Sequence, residues 1–243
     1  MTAVVLGAAR THLRQQGMTP LTWMTGGVLP VCLAWILHVK TGESGLRLVA
    51  GVSAAAMIDT VAILIVFAVL FERQWNTLEM AAAAPRGVLP VLAGRFLGIA
   101  VQALPTLAVS GVFVQLAWGG VRIDRPLPTL LGMLVLTLSV VVVMLPLAVV
   151  VLRFRYAAGM TNGVPALLLA VSGALIPIWQ MPPLLQSWAK ALPLTWAVDA
   201  VEAGDWNDLG VATVLVAAWA VLGAALFHLA LRGMRGDPDA YRM

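Results

Sequence analysis

A series of long apolar runs, separated by short polar segments, constrains this chain more than any other feature. A helix needs roughly 20 mostly apolar residues to cross the hydrocarbon core of a bilayer. By that rule the sequence predicts six membrane-spanning helices. Their predicted ranges are 21–38, 48–71, 92–118, 127–152, 164–179 and 211–231. The fold class that follows is an all-α integral membrane protein.

Composition supports this class, because 61% of the 243 residues are hydrophobic and only 11% are charged. Soluble domains are about a quarter charged. A soluble core of this size has no room for so much apolar surface, so lipid must be its solvent. The net charge of +4 does not indicate nucleic-acid binding, since the basic residues stand singly between the apolar runs.

The distribution of lysine and arginine predicts the orientation, because cytoplasmic segments carry more of them. With the N-terminus inside, the inner segments hold Arg10, Arg14, Arg73, Arg86, Arg95, Arg153, Arg155, Arg232, Arg235 and Arg242. The outer segments then hold Lys40, Arg47, Arg122, Arg125 and Lys190. Ten basic residues against five favour both termini in the cytoplasm, and the predicted location is a bacterial-type inner (plasma) membrane.

The chain is predicted to form one transmembrane domain, 1–243, with an interfacial elbow helix at 1–17, a six-helix membrane domain at 18–231 and a cytoplasmic tail at 232–243. The elbow helix is predicted because apolar and basic residues separate onto opposite faces at helical spacing. The apolar stripe is Val5, Leu6, Ala9 and Leu13, and Arg10 and Arg14 lie opposite.

Two further patterns concern packing. Gly94 and Gly98, four residues apart in the third predicted span, favour close approach of a neighbouring helix. The segment 180–208 is too apolar for a solvated loop, and Pro182, Pro183 and Pro193 break it too often for one span. It is predicted to be a broken, re-entrant outer hairpin of short helices.

The sequence lacks the residue patterns of an enzyme or a metalloprotein. It has no HExxH or GxSxG motif, no clustered metal ligands and a single cysteine, Cys32. It also has no GxxxxGK[ST] phosphate-binding loop, so ATP would have to be bound by another chain. The expectation is a non-enzymatic protein without a metal or cofactor of its own.

A charged and polar island at 71–80 separates the second and third apolar runs. Asn76 is a suitable helix cap, and Glu79 three residues later completes a variant of the capping box. A short helix ending near Pro85 would place Trp75 and Leu78 on one face. A bulky aromatic anchor beside charge is what a cytoplasmic docking helix needs to fit a groove on a soluble partner.

At this island the chain resembles the permease subunits of ABC-2-type transporters. Their common pattern is Glu-Arg-x-x-Gly-Thr-Leu-Glu, then a proline, then Gly-Lys entering the third span. The matching residues are Glu72, Arg73, Thr77, Leu78, Glu79, Pro85, Gly94 and Arg95. Asn76 replaces the glycine and Arg95 the lysine. A second stretch, 191–198, is similar to the family's Asn-Pro-Leu-Thr-Tyr, with Leu192 at the asparagine position.

The resemblance implies a half-transporter. Two permease copies, identical or related, would sit on two ATP-binding cassette subunits that bind ATP and magnesium, and the inner helix would transmit their motion. The residues implied in this coupling are Glu72, Arg73, Trp75, Thr77, Leu78 and Glu79. The expected cargo is a hydrophobic or amphipathic compound such as a drug, an antibiotic or a lipid-linked molecule. Polysaccharide export is the alternative within the family.

Asp59, with Thr60 beside it, lies near the middle of the second predicted span. A carboxylate at the bilayer centre costs about 2.5–3.5 kcal/mol, so it should face protein or water. It would line a substrate path, contact the second permease, or be a protonated, hydrogen-bonded packing residue. An ATP-independent, proton-coupled carrier using Asp59 is the rival function, and a membrane scaffold without transport is a third.

Overall fold

A computed structural model of the chain describes residues 2–16, 19–74, 89–153 and 160–234. Over these ranges the secondary structure is entirely helical, with no β-strand. Five of the described helical segments are long and apolar enough to cross a membrane. The prediction of a multi-pass, all-α membrane protein is therefore confirmed.

The α-helices are numbered α1 to α10 in chain order. The long ones are α4 (Leu46–Gln74), α5 (Leu89–Trp118), α6 (Pro126–Arg153) and α10 (Trp206–Met234). The shorter ones are α1 (Thr2–Gln16), α2 (Pro20–Trp23), α3 (Leu29–Thr41), α7 (Met160–Val171), α8 (Pro183–Ala191) and α9 (Pro193–Ala203). The helix predicted at the N-terminus and four of the predicted spans match α1, α4, α5, α6 and α10 within a few residues.

The first predicted span is helical but not uniform. A π-helical turn, Met24–Val28, joins α2 to α3, and the backbone N–H of Leu29 donates to the carbonyl oxygen of Met24. Such a turn contains one residue more than an α-helical turn. A Cβ atom added at Gly26 would lie 3.2 Å from Thr106 Oγ1, so the wide turn presses its backbone against α5.

The predicted fifth span, 164–179, is not one continuous helix. The helix α7 has 12 residues, which corresponds to about 18 Å against the roughly 30 Å of a hydrocarbon core. It ends where Ser172 Oγ donates to Leu169 O (3.1 Å) and accepts from Ala174 N (3.3 Å), in place of helical backbone bonds. Gly173 follows with a left-handed φ of 70°. The six-span arrangement therefore stays a prediction.

The centre of the molecule is α4, which packs against α5, α6, α7 and α9. In its apolar stretch 83% of residues are buried within the chain, against 17% in α10. Buried polar groups are paired here too, since Ser53 Oγ on α4 donates to Ser110 Oγ on α5 at 2.9 Å. The last long helix α10 instead presents most of its apolar surface outward.

The segment predicted to be a broken hairpin does consist of short helices. Leu192 is extended (φ −91°, ψ 132°) between α8 and α9, and α9 ends at the left-handed Gly204. Two indole N–H groups satisfy carbonyl oxygens at the end of α8. Trp196 Nε1 donates to Lys190 O at 2.9 Å, and Trp219 Nε1 donates to Ala191 O at 3.0 Å. The depth of these helices in a membrane stays a prediction.

Candidate functional site

The structure describes only part of the predicted coupling segment. Glu72 and Arg73 lie in the last turn of α4, whose backbone is helical to Gln74. Trp75, Thr77, Leu78 and Glu79 lie outside the described residues. The chain leaves α4 at one end of the bundle and re-enters it at Leu89 on the neighbouring α5. The docking helix itself therefore stays a prediction.

Asp59 and Thr60 are adjacent on α4 but face different surroundings. Thr60 is buried, and its hydroxyl donates to Ala56 O at 2.8 Å within the same helix. Asp59 is only partly buried, and no residue in the described ranges donates a hydrogen bond to its carboxylate. The structure thus separates the two residues, and only Asp59 faces outward from the core.

Asp59 begins a stripe along α4 that the chain leaves partly uncovered. From residue 51 to residue 70 every side chain is buried except at Asp59, Ile63, Phe67 and Leu70. These residues are spaced by four, four and three positions, so they lie along one face of the helix. We call them the open stripe of α4. An otherwise covered helix therefore presents a single carboxylate and three apolar side chains to whatever lies outside the chain.

At the inner end, as the charge distribution predicts it, α1 packs directly on α5. A Cβ atom added at Gly94 would lie 2.6 Å from Ala8 Cβ and would collide with the carbonyl oxygen of Val5. At Gly98 an added Cβ would lie 3.0 Å from His12 Cδ2. The prediction that these glycines admit a close neighbour is confirmed, and the neighbour is the amphipathic helix α1. Leu6, on the predicted apolar stripe of α1, is 62% exposed and so takes little part in this contact.

A chain of hydrogen bonds completes this contact, which we call the inner junction. The side chain of His12 is only 1% exposed. Its Nε2 atom lies 3.1 Å from Oε1 of Gln102 on α5. Gln102 Nε2 donates to Gln16 O (3.0 Å) and to Thr22 Oγ1 (2.8 Å). The pKa of His12 is lowered to about 4, chiefly because the ring is buried; the bond to Gln102 opposes this shift, and the charge of Arg95 adds a smaller lowering. His12 is therefore neutral and donates from Nε2.

Sequence reasoning did not find His12 as a buried residue. Its position supplied the only signal, because His12 follows Val5 and Ala9 at helical spacing toward Gln16. From the sequence alone, a histidine at the centre of an amphipathic helix fits the exposed basic face as well as it fits the buried face. Only the placement of Gln102 on the facing helix makes burial favourable.

At the opposite end a salt-bridge cluster joins α4 to α9, and we call it the outer clamp. Arg47 Nη1 lies 2.5 Å from Glu202 Oε2 and 3.5 Å from Asp199 Oδ1. Burial raises the pKa of Asp199, an effect that the neighbouring guanidinium of Arg47 partly offsets. The loops predicted on the outer side also meet here, since Gly120 packs on Ser44 and Gly204 on Arg125.

Comparison with known proteins gives one family match. A family model described as ABC-2 type transporter matches residues 8–205. No curated protein matches the chain. Within the described ranges there is no group of three or more His, Cys, Asp or Glu residues able to hold a metal ion. The match begins within α1 and ends just after α9, so it includes the predicted coupling segment.

Proposed function

The chain belongs to the ABC-2 type transporter family as a membrane permease subunit, and we propose that it is half of an ATP-driven exporter. The observation that carries the proposal is the family match over residues 8–205. The given sequence contains no GxxxxGK[ST] phosphate-binding loop, so in an ATP-driven exporter an ATP-binding cassette subunit would bind ATP and magnesium. Such a partner is what the family implies in general.

We propose that the segment from Glu72 to Glu79 couples this permease to its ATP-binding partner. It directly continues α4, the most deeply packed span, so a displacement at this segment acts on the centre of the bundle. Trp75 would fill a groove on the partner, with Glu72, Arg73 and Glu79 as charged neighbours and Thr77 and Leu78 within the docking helix.

Two permease copies would form the export path, and the open stripe of α4 supports its location. Asp59 lies at its deep end, where a partly exposed carboxylate is costly against lipid and favourable against water, cargo or a second copy. A path with one carboxylate and an apolar wall suits a hydrophobic or amphipathic cargo better than a polysaccharide. Replacing Asp59 by Asn or Ala is expected to lower export at least tenfold, and full export in both variants would remove it from the path.

The proposed topology follows from charge. Both termini are cytoplasmic in an inner membrane, α1 lies in the inner interface, and the outer clamp faces the outside. In that arrangement the inner junction and the coupling segment are at the same membrane face. The segment that includes α7 and Ile178–Gln180 would supply the remaining crossing as an interrupted span, separate from the broken hairpin at 180–208.

The test is purification of the chain from its native membrane in mild detergent, followed by mass spectrometry of stoichiometric companions. A companion that contains a phosphate-binding loop is expected, and Trp75→Ala with Glu79→Arg should release it. The matched control is Trp179→Ala with Asp124→Arg, which likewise truncates a tryptophan and replaces an acidic residue by arginine, at exposed positions toward the predicted outer side. A chain that purifies alone, from membranes where other ATPase complexes survive, would contradict the proposal.

The location of Asp59 also favours one alternative, a proton-coupled carrier that needs no ATPase. In that case the purified chain alone, reconstituted in vesicles, would dissipate a proton gradient in the presence of cargo. Asp59→Asn would abolish this activity, and Thr60→Val, next to it but buried, would not. A permease without its ATPase is inert in the same assay.

A further inference from the structure

A cavity of about 480 Å³ lies at the outer end of the molecule, beside the outer clamp. It is enclosed by the end of α3, the start of α4 and the irregular segment 174–180. Its size falls within the range of small-molecule sites in proteins. It is separate from the coupling segment and from Asp59, which lies two helical turns further along α4 than the cavity residue Gly51.

The local backbone keeps this cavity in place. Gly51 touches the irregular segment so closely that an added Cβ would collide with Ala174 O. Gly173, in a left-handed conformation, turns the chain away from α7 so that 174–177 crosses the cavity instead of continuing a helix. A side chain at Gly51 or a right-handed residue 173 would fill or displace this wall.

One wall of the cavity is apolar and the rim is polar. Leu48 is buried in the floor, and Leu37, Leu175, Ile176 and Pro177 form the sides. Ile176 is 49% exposed, so the apolar wall continues to the surface. The polar lining residues are Thr41, Glu43, Arg47 and Gln180. A ligand that fits both surfaces has an apolar body and a polar or charged end.

The charges around the cavity select the sign of that end. The guanidinium of Arg47 is already held by two carboxylates, Asp199 and Glu202, so the clamp itself is net negative. No ion pair to Glu43 occurs among the residues that the structure describes. Lys40, in the last turn of α3, does not line the cavity. Three carboxylates (Glu43, Asp199 and Glu202) therefore stand against the one guanidinium of Arg47, and this net negative charge favours a cationic ligand.

Glu43 is also held in position. Its backbone N–H donates to Thr41 Oγ1 at 3.2 Å, and its carbonyl oxygen accepts from His38 Nδ1 at 2.7 Å. The His38 ring in turn stacks on Trp118, with ring centroids 3.9 Å apart. The loop that presents the carboxylate is therefore fixed at both sides before any ligand arrives.

We propose that this cavity binds an organic cation with an apolar body, with Glu43 as the countercharge. In the exporter it would be a site that cargo occupies at the outer face before release, and this role rests on the proposed function. The binding itself does not, because it needs neither ATP nor the partner subunit. If cargo occupies this site, the expected cargo is no longer any amphipathic compound but a lipophilic cation.

The experiment compares two probes of matched shape and opposite charge, tetraphenylphosphonium and tetraphenylborate. Binding is measured on the full chain in lipid nanodiscs, with partition into empty nanodiscs subtracted. Specific, saturable binding of the cation is expected, and none of the anion. Glu43→Gln should weaken cation binding about fivefold at low salt, less at high salt. The control, Asp124→Asn, removes another exposed outer carboxylate that does not line the cavity and should change nothing.

A second variant separates the cavity from general surface charge. Ile176→Trp places a bulky ring at the apolar wall and should reduce cation binding while leaving Glu43 in place. Equal binding of both probes, or unchanged cation binding in both Glu43→Gln and Ile176→Trp, would overturn the proposal. If the chain binds the cation but purifies without an ATPase, the site stands and the exporter does not. If the chain purifies with an ATPase but binds no cation, the exporter proposal stands and the cation site does not.

Discussion

The inner junction and the outer clamp each fasten a peripheral helix to a long span, but by different physics. At the inner junction α1 approaches α5 over two glycines, and the neutral His12 bonds to Gln102. The charged residue Arg95 on α5 is also buried there and donates to Gln15 Oε1 at 3.4 Å. At the outer clamp α9 is held to α4 through Arg47 and two carboxylates, one of them 42% exposed. The first contact depends on fit and a neutral histidine, and the second on charge that solvent screens.

This difference indicates that the inner junction is the more rigid of the two contacts and that the outer clamp opens more easily. Close backbone contact yields little without loss, because a gap of about 0.5–1 Å already forfeits a quarter to a half of the van der Waals attraction. Exposed ion pairs are weak, salt-sensitive and easily exchanged for water. In the proposed exporter the end near the ATPase transmits motion and needs the rigid contact, whereas the outer end must open for cargo.

The largest effect is expected from protonating the inner junction. The pKa of His12 is about 4 when folded and 6.5 in the unfolded chain, so the unfolded or opened state binds more protons between these values. Stability is fully present above pH 6.5 and is lost as the pH falls toward 4, by about 3 kcal/mol. Hydrogen exchange of α1 amides, corrected for intrinsic rates, should show α1 opening over this window.

The control for that experiment is His12→Gln, which keeps a donor toward Gln102 but does not titrate. Its α1 protection should be independent of pH from 7 to 4. If the wild-type chain and His12→Gln lose protection in parallel, other groups are responsible and His12 does not govern the junction.

A smaller effect is expected from the glycine contact. Gly94→Ala places a methyl group against Val5 O and Ala8, so α1 must move, at a cost of about 2 kcal/mol. Thermal unfolding in detergent and α1 hydrogen exchange both report this loss. Gly7→Ala on α1 is the matched control, since a Cβ there meets nothing within 4 Å. That change should be neutral or slightly stabilising, and equal losses in the two variants would show that the glycine contact is not specific.

The smallest effect is expected at the outer clamp. Glu202→Gln should cost about 0.5–1 kcal/mol at low salt and almost nothing at high salt, because the carboxylate is partly exposed. A double-mutant cycle with Arg47→Met, measured by thermal unfolding at both salt concentrations, isolates the pair. A coupling energy that does not change with salt would mean that the clamp is as rigid as the inner junction, and the contrast between the two ends would fail.

Much of the architecture is predictable from the sequence, because apolar runs of membrane length have few alternatives. The spans at 48–71, 92–118, 127–152 and 211–231 reappear as α4, α5, α6 and α10. The broken character of 180–208 follows from its prolines. The helix end at Ser172–Gly173 was missed, because an apolar run conceals a serine that replaces a backbone bond with its own side chain.

Burial was much harder to predict. In a membrane an apolar side chain is about equally stable facing lipid or packed inside the protein. Hydropathy therefore does not distinguish the covered α4 from the exposed α10. The partners of polar residues were missed for a related reason. His12 with Gln102, and Arg47 with Asp199 and Glu202, are pairs between distant segments that no local pattern connects. Asp59 was identified from its cost in lipid, but the direction it faces depends on its neighbours.

The π-helical turn at Met24–Val28, inside the first predicted span, sets the rotational phase between α2 and α3. One additional residue rotates everything after it by about 100° relative to an uninterrupted α-helix. With the turn in place, Pro30 and Ala34 are the residues of α3 that are buried in the bundle. A one-residue deletion there would keep a continuous helix and turn Ala34 outward. The effect of an insertion or deletion in this segment should therefore depend on how far it rotates α3, and not on how many residues it adds or removes.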